Sequence, residues 1–245
     1  MGPGDSSMHR VPHNSRVYAV GDIHGRADLL KRLHDLIRTD AAPFHDRRKA
    51  IVYLGDYIDR GPSSREVLET LVTTSLPGFD SVHLKGNHED LLLRFLDDAQ
   101  IGLDWAMVGG DATLMSYGAA DGRRLRGSVD FETMQKKFHG QLPPAHLEFL
   151  HNLGSFHVEG DYLFVHAGVR PGRPMEDQDE TDMLWIRDVF LQSTADHGRV
   201  VVHGHSITHE PEIRPNRIGI DTGAYATGRL TCLVLEGAER SFLST

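Results

Sequence analysis

Short apolar runs set the rhythm of this chain. Residues 17–20, 51–54, 82–84, 162–165 and 200–202 are rich in β-branched or aromatic side chains, and each run stops at a loop carrying glycine and polar residues. Runs this short and this apolar predict buried strands. Between the first three, apolar residues recur with helical spacing. Leu29, Leu30, Leu33, Leu36 and Ile37 form one stripe, and Val67, Leu68, Leu71 and Val72 form another behind Ser63 and Ser64, which suit a helix start. Residues 91–96 continue as a third helix after Glu89. Alternating strand and helix implies an α/β fold with parallel strands at its start. In such sheets the loops beyond the carboxyl ends of the strands gather in one place, and ligands bind there.

The remaining segments are less regular. Residues 218–220 and 230–235 flank Asp221, Thr222, Gly223 and Gly228, a pattern that reads as a hairpin with a long loop. Residues 97–160 read as an insertion packed over or beside the site, with a helix expected over about 141–153, starting near Pro143 and Pro144. Within it Arg123, Arg124 and Arg126 form a basic cluster read as a solvated face. Residues 1–15, rich in Gly, Pro, Ser and His, read as a disordered leader, which leaves 16–245 as a single domain.

Composition narrows the function classes. Hydrophobic residues make up 39% and charged residues 25%, ordinary for a globular protein. No apolar run approaches the roughly 18–20 residues of a membrane span. The N-terminus lacks the apolar core of a signal peptide, so a cytoplasmic address and no membrane partner are expected. Cys232 is the single cysteine, which excludes an internal disulfide, and it is expected to be a buried, inert thiol. A net charge of −9, from 26 Lys+Arg against 35 Asp+Glu, argues against binding duplex nucleic acid. An anionic substrate stays open, because bound divalent ions would reverse the local field.

The five loops carry the candidate chemistry. Together they offer Asp22, His24, Asp56, Asn87, His166 and His205: two carboxylates, three imidazoles and an amide. This mixed oxygen and nitrogen set without thiolates suits Mn, Fe, Zn or Co and is too rich in nitrogen for a dedicated calcium site. Six ligands exceed what one hydrolytic metal needs, so two metals sharing a bridging carboxylate fit better. His203 competes with His205 for one position; His205 is favoured, with His203 left to packing. Asp221 reads either as a turn former or as a partner for a ligand imidazole, and Glu89 as a support for the helix start.

Read in order, Gly-Asp-Ile-His-Gly (21–25), Gly-Asp-Tyr-Ile-Asp-Arg-Gly (55–61) and Gly-Asn-His-Glu (86–89), then His-Ala-Gly (166–168) and Gly-His (204–205), resemble the metal-binding signature of the phosphoprotein phosphatases. That family is a branch of the calcineurin-like metallophosphoesterases, and the chain is most similar to its bacterial and phage serine/threonine members. The resemblance implies a layered central β-sandwich flanked by helices, with a dinuclear centre at the carboxyl ends of the strands. It implies one metal on Asp22, His24 and Asp56 and a second on Asp56, Asn87, His166 and His205. Mn2+ is the expected ion, with Fe, Zn, Co or Ni as alternatives. His88 resembles the general acid, Asp59 the carboxylate that orients it, and Arg60 and Arg187 the arginines that bind the substrate phosphate.

What this implies is dephosphorylation of phosphoserine and phosphothreonine in proteins, by direct attack of a metal-bridging hydroxide. The runner-up is a dinucleoside polyphosphate hydrolase of the same fold, acting for example on diadenosine tetraphosphate. A catalytically dead phosphoprotein-binding scaffold is disfavoured, because every expected ligand and the acid are present.

Overall fold

The computed structural model describes residues 9–73, 76–120 and 130–245. Its chain begins β1 (Ser15–Val20), α1 (Ala27–Ala41), β2 (Arg48–Tyr53), α2 (Ser64–Thr73), β3 (Phe79–His83) and α3 (Asn87–Asp97). The helices α4 (Gly102–Trp105), α5 (Asp111–Ser116), α6 (Phe131–Gln141) and α7 (Pro144–His151) follow. The second half contains β4 (Phe156–Glu159), β5 (Tyr162–Val165), α8 (Glu180–Trp185), α9 (Asp188–Leu191), β6 (Val200–His203), β7 (Glu212–Ile213) and β8 (Arg217–Gly219). It closes with α10 (Ala224–Thr227), β9 (Thr231–Glu236) and β10 (Glu239–Ser244).

The strands form two five-stranded mixed sheets, ordered β10-β9-β1-β2-β3 and β4-β5-β6-β8-β7. β1, β2 and β3 run parallel, as do β5, β6 and β8, and the remaining pairs are antiparallel. The uninterrupted apolar runs have a simple cause: both faces of the central strands are covered. In β1, Val17 and Ala19 enter the core between the sheets, while Tyr18 and Val20 face the helical layer. β5 divides the same way, with Tyr162 and Phe164 between the sheets and Leu163 and Val165 under α8 and α9. Such strands have no solvent face, so no polar alternation appears. The expected burial fails at β3, which is only partly buried because it forms the edge of its sheet.

Three other expectations are corrected. Residues 218–220 and 230–235 do not form a hairpin. β8 belongs to the second sheet and β9 to the first, so the intervening chain crosses between sheets and delivers Asp221 to the site. Residues 9–15 are not a disordered leader: Val11 is 4% exposed and donates its N–H to Gly237 O at 3.1 Å. The helix expected after Glu89 starts earlier, at Asn87, which puts Asn87 and His88 in its first turn. The α7 start at Pro144, with Pro143 as its cap, agrees with expectation. Arg123, Arg124 and Arg126 lie outside the described residues. Among the described residues no helix is long and apolar enough to cross a membrane.

Candidate metal centre

The five polar loops meet at one end of the sandwich and are tied by their backbones. His24 N–H donates to Asp56 O at 2.8 Å, and Gly204 N–H donates to His166 O at 2.8 Å. His205 N–H reaches the Asp22 carboxylate at 3.0 Å, linking the two sheets. Glu89 holds the centre from below. Its buried carboxylate accepts the N–H groups of Asp56, Tyr57 and Gly86 at 2.8–3.0 Å. It therefore caps α3, as expected, and also fixes the loop after β2. Gly55 (φ 99°) brings that loop against Gly86, where a Cβ would stand 2.5 Å from the Gly86 nitrogen.

Strain is concentrated here. Six non-glycine residues among those described have positive φ, and five of them are His24, Asp56, Asp59, Arg60 and His205. Such conformations cost of order 1–3 kcal/mol each and persist only where surrounding contacts dictate them. The same turn places His203 and His205 differently. β6 ends at His203, and His205 with φ 60° swings into the site. His203 stays in the core beside Arg217, its Nε2 3.3 Å from the guanidinium.

Asp56 is the hub. Its Oδ2 lies 3.4 Å from His24 Nε2, and its Oδ1 lies 3.4 Å from His166 Nε2. Asn87 Oδ1 stands 2.9 Å from the same His166 nitrogen, and donor atoms of Asp56, His166 and His205 lie within 4.8 Å of one another. The 2.9 and 3.4 Å separations suit ligands on a common ion, because metal–donor bonds of about 2.0–2.1 Å at angles near 90–110° give ligand–ligand distances of about 2.8–3.4 Å. Carbonyls orient the rings from behind. His24 Nδ1 pairs with Ile58 O and His166 Nδ1 with Leu54 O, both at 2.8 Å, which leaves Nε2 of each ring facing Asp56 as an acceptor. His205 Nε2 is buried and without a partner, as a nitrogen awaiting a cation would be.

The electrostatics agree. Burial keeps these imidazoles neutral, the state that binds metal: His24 is lowered to about 3 and His205 to about 2, and His166 is also lowered. Burial also raises the carboxyls of Asp22, where the charges of Asp221 and Asp56 add to the effect, and of Asp221, where that of Asp56 adds. Three carboxylates crowded into one buried volume need a compensating cation. Asp221 meets Asp22 and its own turn, with Oδ1 accepting Gly223 N–H at 2.9 Å, so of its two expected roles the structure displays the turn.

Beside the cluster lies a second arrangement. His88 Nδ1 is 2.6 Å from Asp59 Oδ2, and His88 Nε2 is 3.3 Å from an Arg60 terminal nitrogen. Burial opposes charge on His88, but Asp56 and then Asp59 outweigh it, raising its pKa to about 9. His88 also lies close enough to His24 and Asp56 to share an ion with them. The Asp59 carboxylate at Nδ1 favours the charged ring, whereas the Arg60 guanidinium, a donor only, meets Nε2 as an acceptor. Asp59 has two further partners that the sequence did not reveal: Trp105 Nε1 donates to Oδ2 at 2.8 Å, and the Thr113 hydroxyl donates to Oδ1 at 2.6 Å. Both come from the irregular stretch, where neither periodicity nor a motif marked them.

Arg187 caps α9 at the exposed rim, and its charge helps depress the pKa values of His166 and His205. Tyr225, on α10, sits under the Arg60 guanidinium at 4.8 Å and edge-on to His24 at 5.5 Å. Trp185 stands 6.2 Å from the His205 ring and is 37% exposed. Cys232 is buried, which pushes its thiol pKa up, and plays no part in the site.

A two-sheet sandwich with a histidine and aspartate cluster at the ends of its strands defines a metallophosphoesterase. Residues 15–230 match the calcineurin-like phosphoesterase family, and the chain belongs to it. Fold and donor set together point to a dinuclear divalent centre with His and Asp ligands. Serine/threonine-protein phosphatase 2 of Escherichia coli (strain K12) is 30% identical over 229 residues, covering 89% of this chain and 92% of that one. Bis(5'-nucleosyl)-tetraphosphatase PrpE [asymmetrical] of Anoxybacillus flavithermus is 26% identical over 233 residues, covering 87% of this chain and 88% of its own. A variant of a cold-active protein tyrosine phosphatase shares the fold, with a TM-score of 0.58 at 16% identity over 98% of this chain and 85% of that one.

Proposed function

We propose that the protein is a phosphomonoesterase that removes phosphate from phosphoserine and phosphothreonine in proteins. Asp22, His24 and Asp56 would hold one metal, and Asp56, Asn87, His166 and His205 the other; Mn2+ is the expected ion, with Fe, Zn, Co or Ni as alternatives. Bound divalent ions supply a Lewis-acid clamp on the phosphoryl oxygens and an ionised water near neutral pH.

The observation that carries this reading is the His88–Asp59 pair at 2.6 Å beside Arg60. A seryl or threonyl alkoxide is a poor leaving group, and a positioned acid contributes about 10²–10⁴-fold to its departure. Asp59 occupies Nδ1, so Nε2 is the nitrogen that delivers the proton. A phosphoryl group engaging Arg60 draws the guanidinium away from Nε2 and frees it for the leaving oxygen. Arg187 offers a second fork for the same oxygens from the exposed rim. The 30% identical Escherichia coli relative supports this substrate class.

The second reading is a dinucleoside tetraphosphate hydrolase, favoured by the PrpE relative at 26% identity. A phosphoanhydride leaves more readily and depends less on an acid. The discriminating measurement is kcat/KM of the Mn-loaded protein on a phosphothreonine peptide and on diadenosine tetraphosphate, with His88→Asn as control. Preference for the peptide, abolished in the control, is expected. Preference for the dinucleotide would keep the centre and overturn the substrate.

A further inference from the structure

We propose that the segment from Trp105 to Thr113 is a clamp that holds Asp59 and Arg60 in working geometry, with Trp105 and Thr113 as positioning residues for the acid. The inference rests on the reading of His88 and Asp59 as the proton-delivering pair.

Asp59 and Arg60 are consecutive non-glycine residues in the left-handed region, with φ 72° and 65°. Aspartate tolerates that region better than most residues, but the long Arg60 side chain has no such aid, and two such residues in succession need outside support. The clamp supplies what does. The Asp59 N–H donates to Thr113 Oγ1, with Ser64 Oγ also at 3.0 Å, and the Arg60 N–H donates to Gly109 O at 3.1 Å. The Arg60 side chain is steered by Val108 O, 3.4 Å from its Nε. Gly109 itself has φ 115°, and a Cβ there would stand 2.8 Å from Arg60 Cγ, so the approach requires glycine.

The same segment completes the shell around the Asp59 carboxylate. Trp105 and Thr113 are both 0% exposed, and between them they donate to both carboxylate oxygens. With those directions occupied, the carboxylate plane cannot rotate, and Oδ2 stays aimed at His88 Nδ1. Trp105 is itself wedged between Phe95 and Phe138, at ring separations of 5.1 and 6.0 Å. A fully buried aspartate could be satisfied by any donors. Donors on one short segment that also grips the next residue's backbone make a device for orientation.

The test exploits leaving-group demand. p-Nitrophenolate leaves without help, whereas a threonyl alkoxide needs the proton. Thr113→Val and Trp105→Phe in the Mn-loaded protein are expected to lower kcat on a phosphothreonine peptide by about 10–100-fold. On p-nitrophenyl phosphate kcat should stay within about threefold, KM for both substrates should be unchanged, and Thr113→Ser should restore the peptide rate. A second readout needs no turnover. In the metal-free protein the His88 Nδ1 proton, assigned by its loss in His88→Asn, should exchange with water at least about tenfold faster in both variants. Equal losses on the two substrates, or unchanged exchange in both variants, overturn the clamp. If His88→Asn itself shows no leaving-group selectivity, the acid reading has failed instead. Should Thr113→Val not fold, Trp105→Phe alone decides.

Discussion

Replacing Gly204 by alanine adds one carbon where the loop after β6 meets Asp22. That Cβ would overlap Asp22 Oδ1 and stand 3.1 Å from its Cγ. Asp22 is 2% exposed and its carboxylate is pinned by the His205 N–H, so it cannot simply rotate away. To regain an ordinary contact the carboxylate must retreat by about 1 Å, and misplacement on that scale costs about 10²-fold in rate. Gly204 is not among the residues with positive φ, so its backbone accepts alanine without strain. Overpacking should cost about 1–2 kcal/mol, a Tm loss of roughly 2–8 °C for a domain this size. The assay is p-nitrophenyl phosphate hydrolysis with Mn2+ binding followed by calorimetric titration. Gly140→Ala is the control, because a Cβ there meets nothing within 4 Å. The expected result is a folded Gly204→Ala protein with weakened metal binding and about a 100-fold lower kcat/KM. Activity within threefold of the parent, with metal binding intact, would refute the placement of Asp22 in the centre.

Two further outcomes follow from the charges. His34 is buried against the Tyr53 hydroxyl at 2.8 Å, and burial lowers its pKa to about 4 from 6.5. Because the folded pKa is depressed, the stability is intact above pH 6.5 and is lost as pH falls towards 4, at up to about 1.4 kcal/mol per pH unit. His34→Gln keeps a hydrogen-bonding group but does not titrate, so urea titrations at pH 7, 6 and 5 should show a slope shallower by about 1 kcal/mol per unit; an unchanged slope counts against a neutral buried imidazole. Arg187→Ala should raise KM for a phosphothreonine peptide by about tenfold and weaken inhibition by inorganic phosphate, with kcat less affected. Unchanged KM and unchanged inhibition would remove Arg187 from the phosphate site.

Seven of the ten strands, the helical stripes and the ligand-type residues at the strand ends were legible in the sequence, while β4, β7 and β10 were not. Strands buried on both faces read as unbroken apolar runs, and each run passes directly into the loop that bears the metal-type residues, so motif and element are neighbours in the chain. Asp22, His24, Asp56 and Asn87 were legible as candidates for that reason, and His88 through the family resemblance. What depends on distant partners was not. Trp105 and Thr113 reach Asp59 across 46 and 54 residues, from a stretch with no periodic pattern. The different placement of His205 and His203 hangs on one left-handed residue after β6. β8 and β9 look like a hairpin because each is a short apolar run on either side of turn residues. Only the packing of one sheet on the other sends them to different sheets and leaves Asp221 against Asp22. Local pattern specifies what a segment can become; the partners that satisfy a buried carboxylate are specified by the tertiary fold.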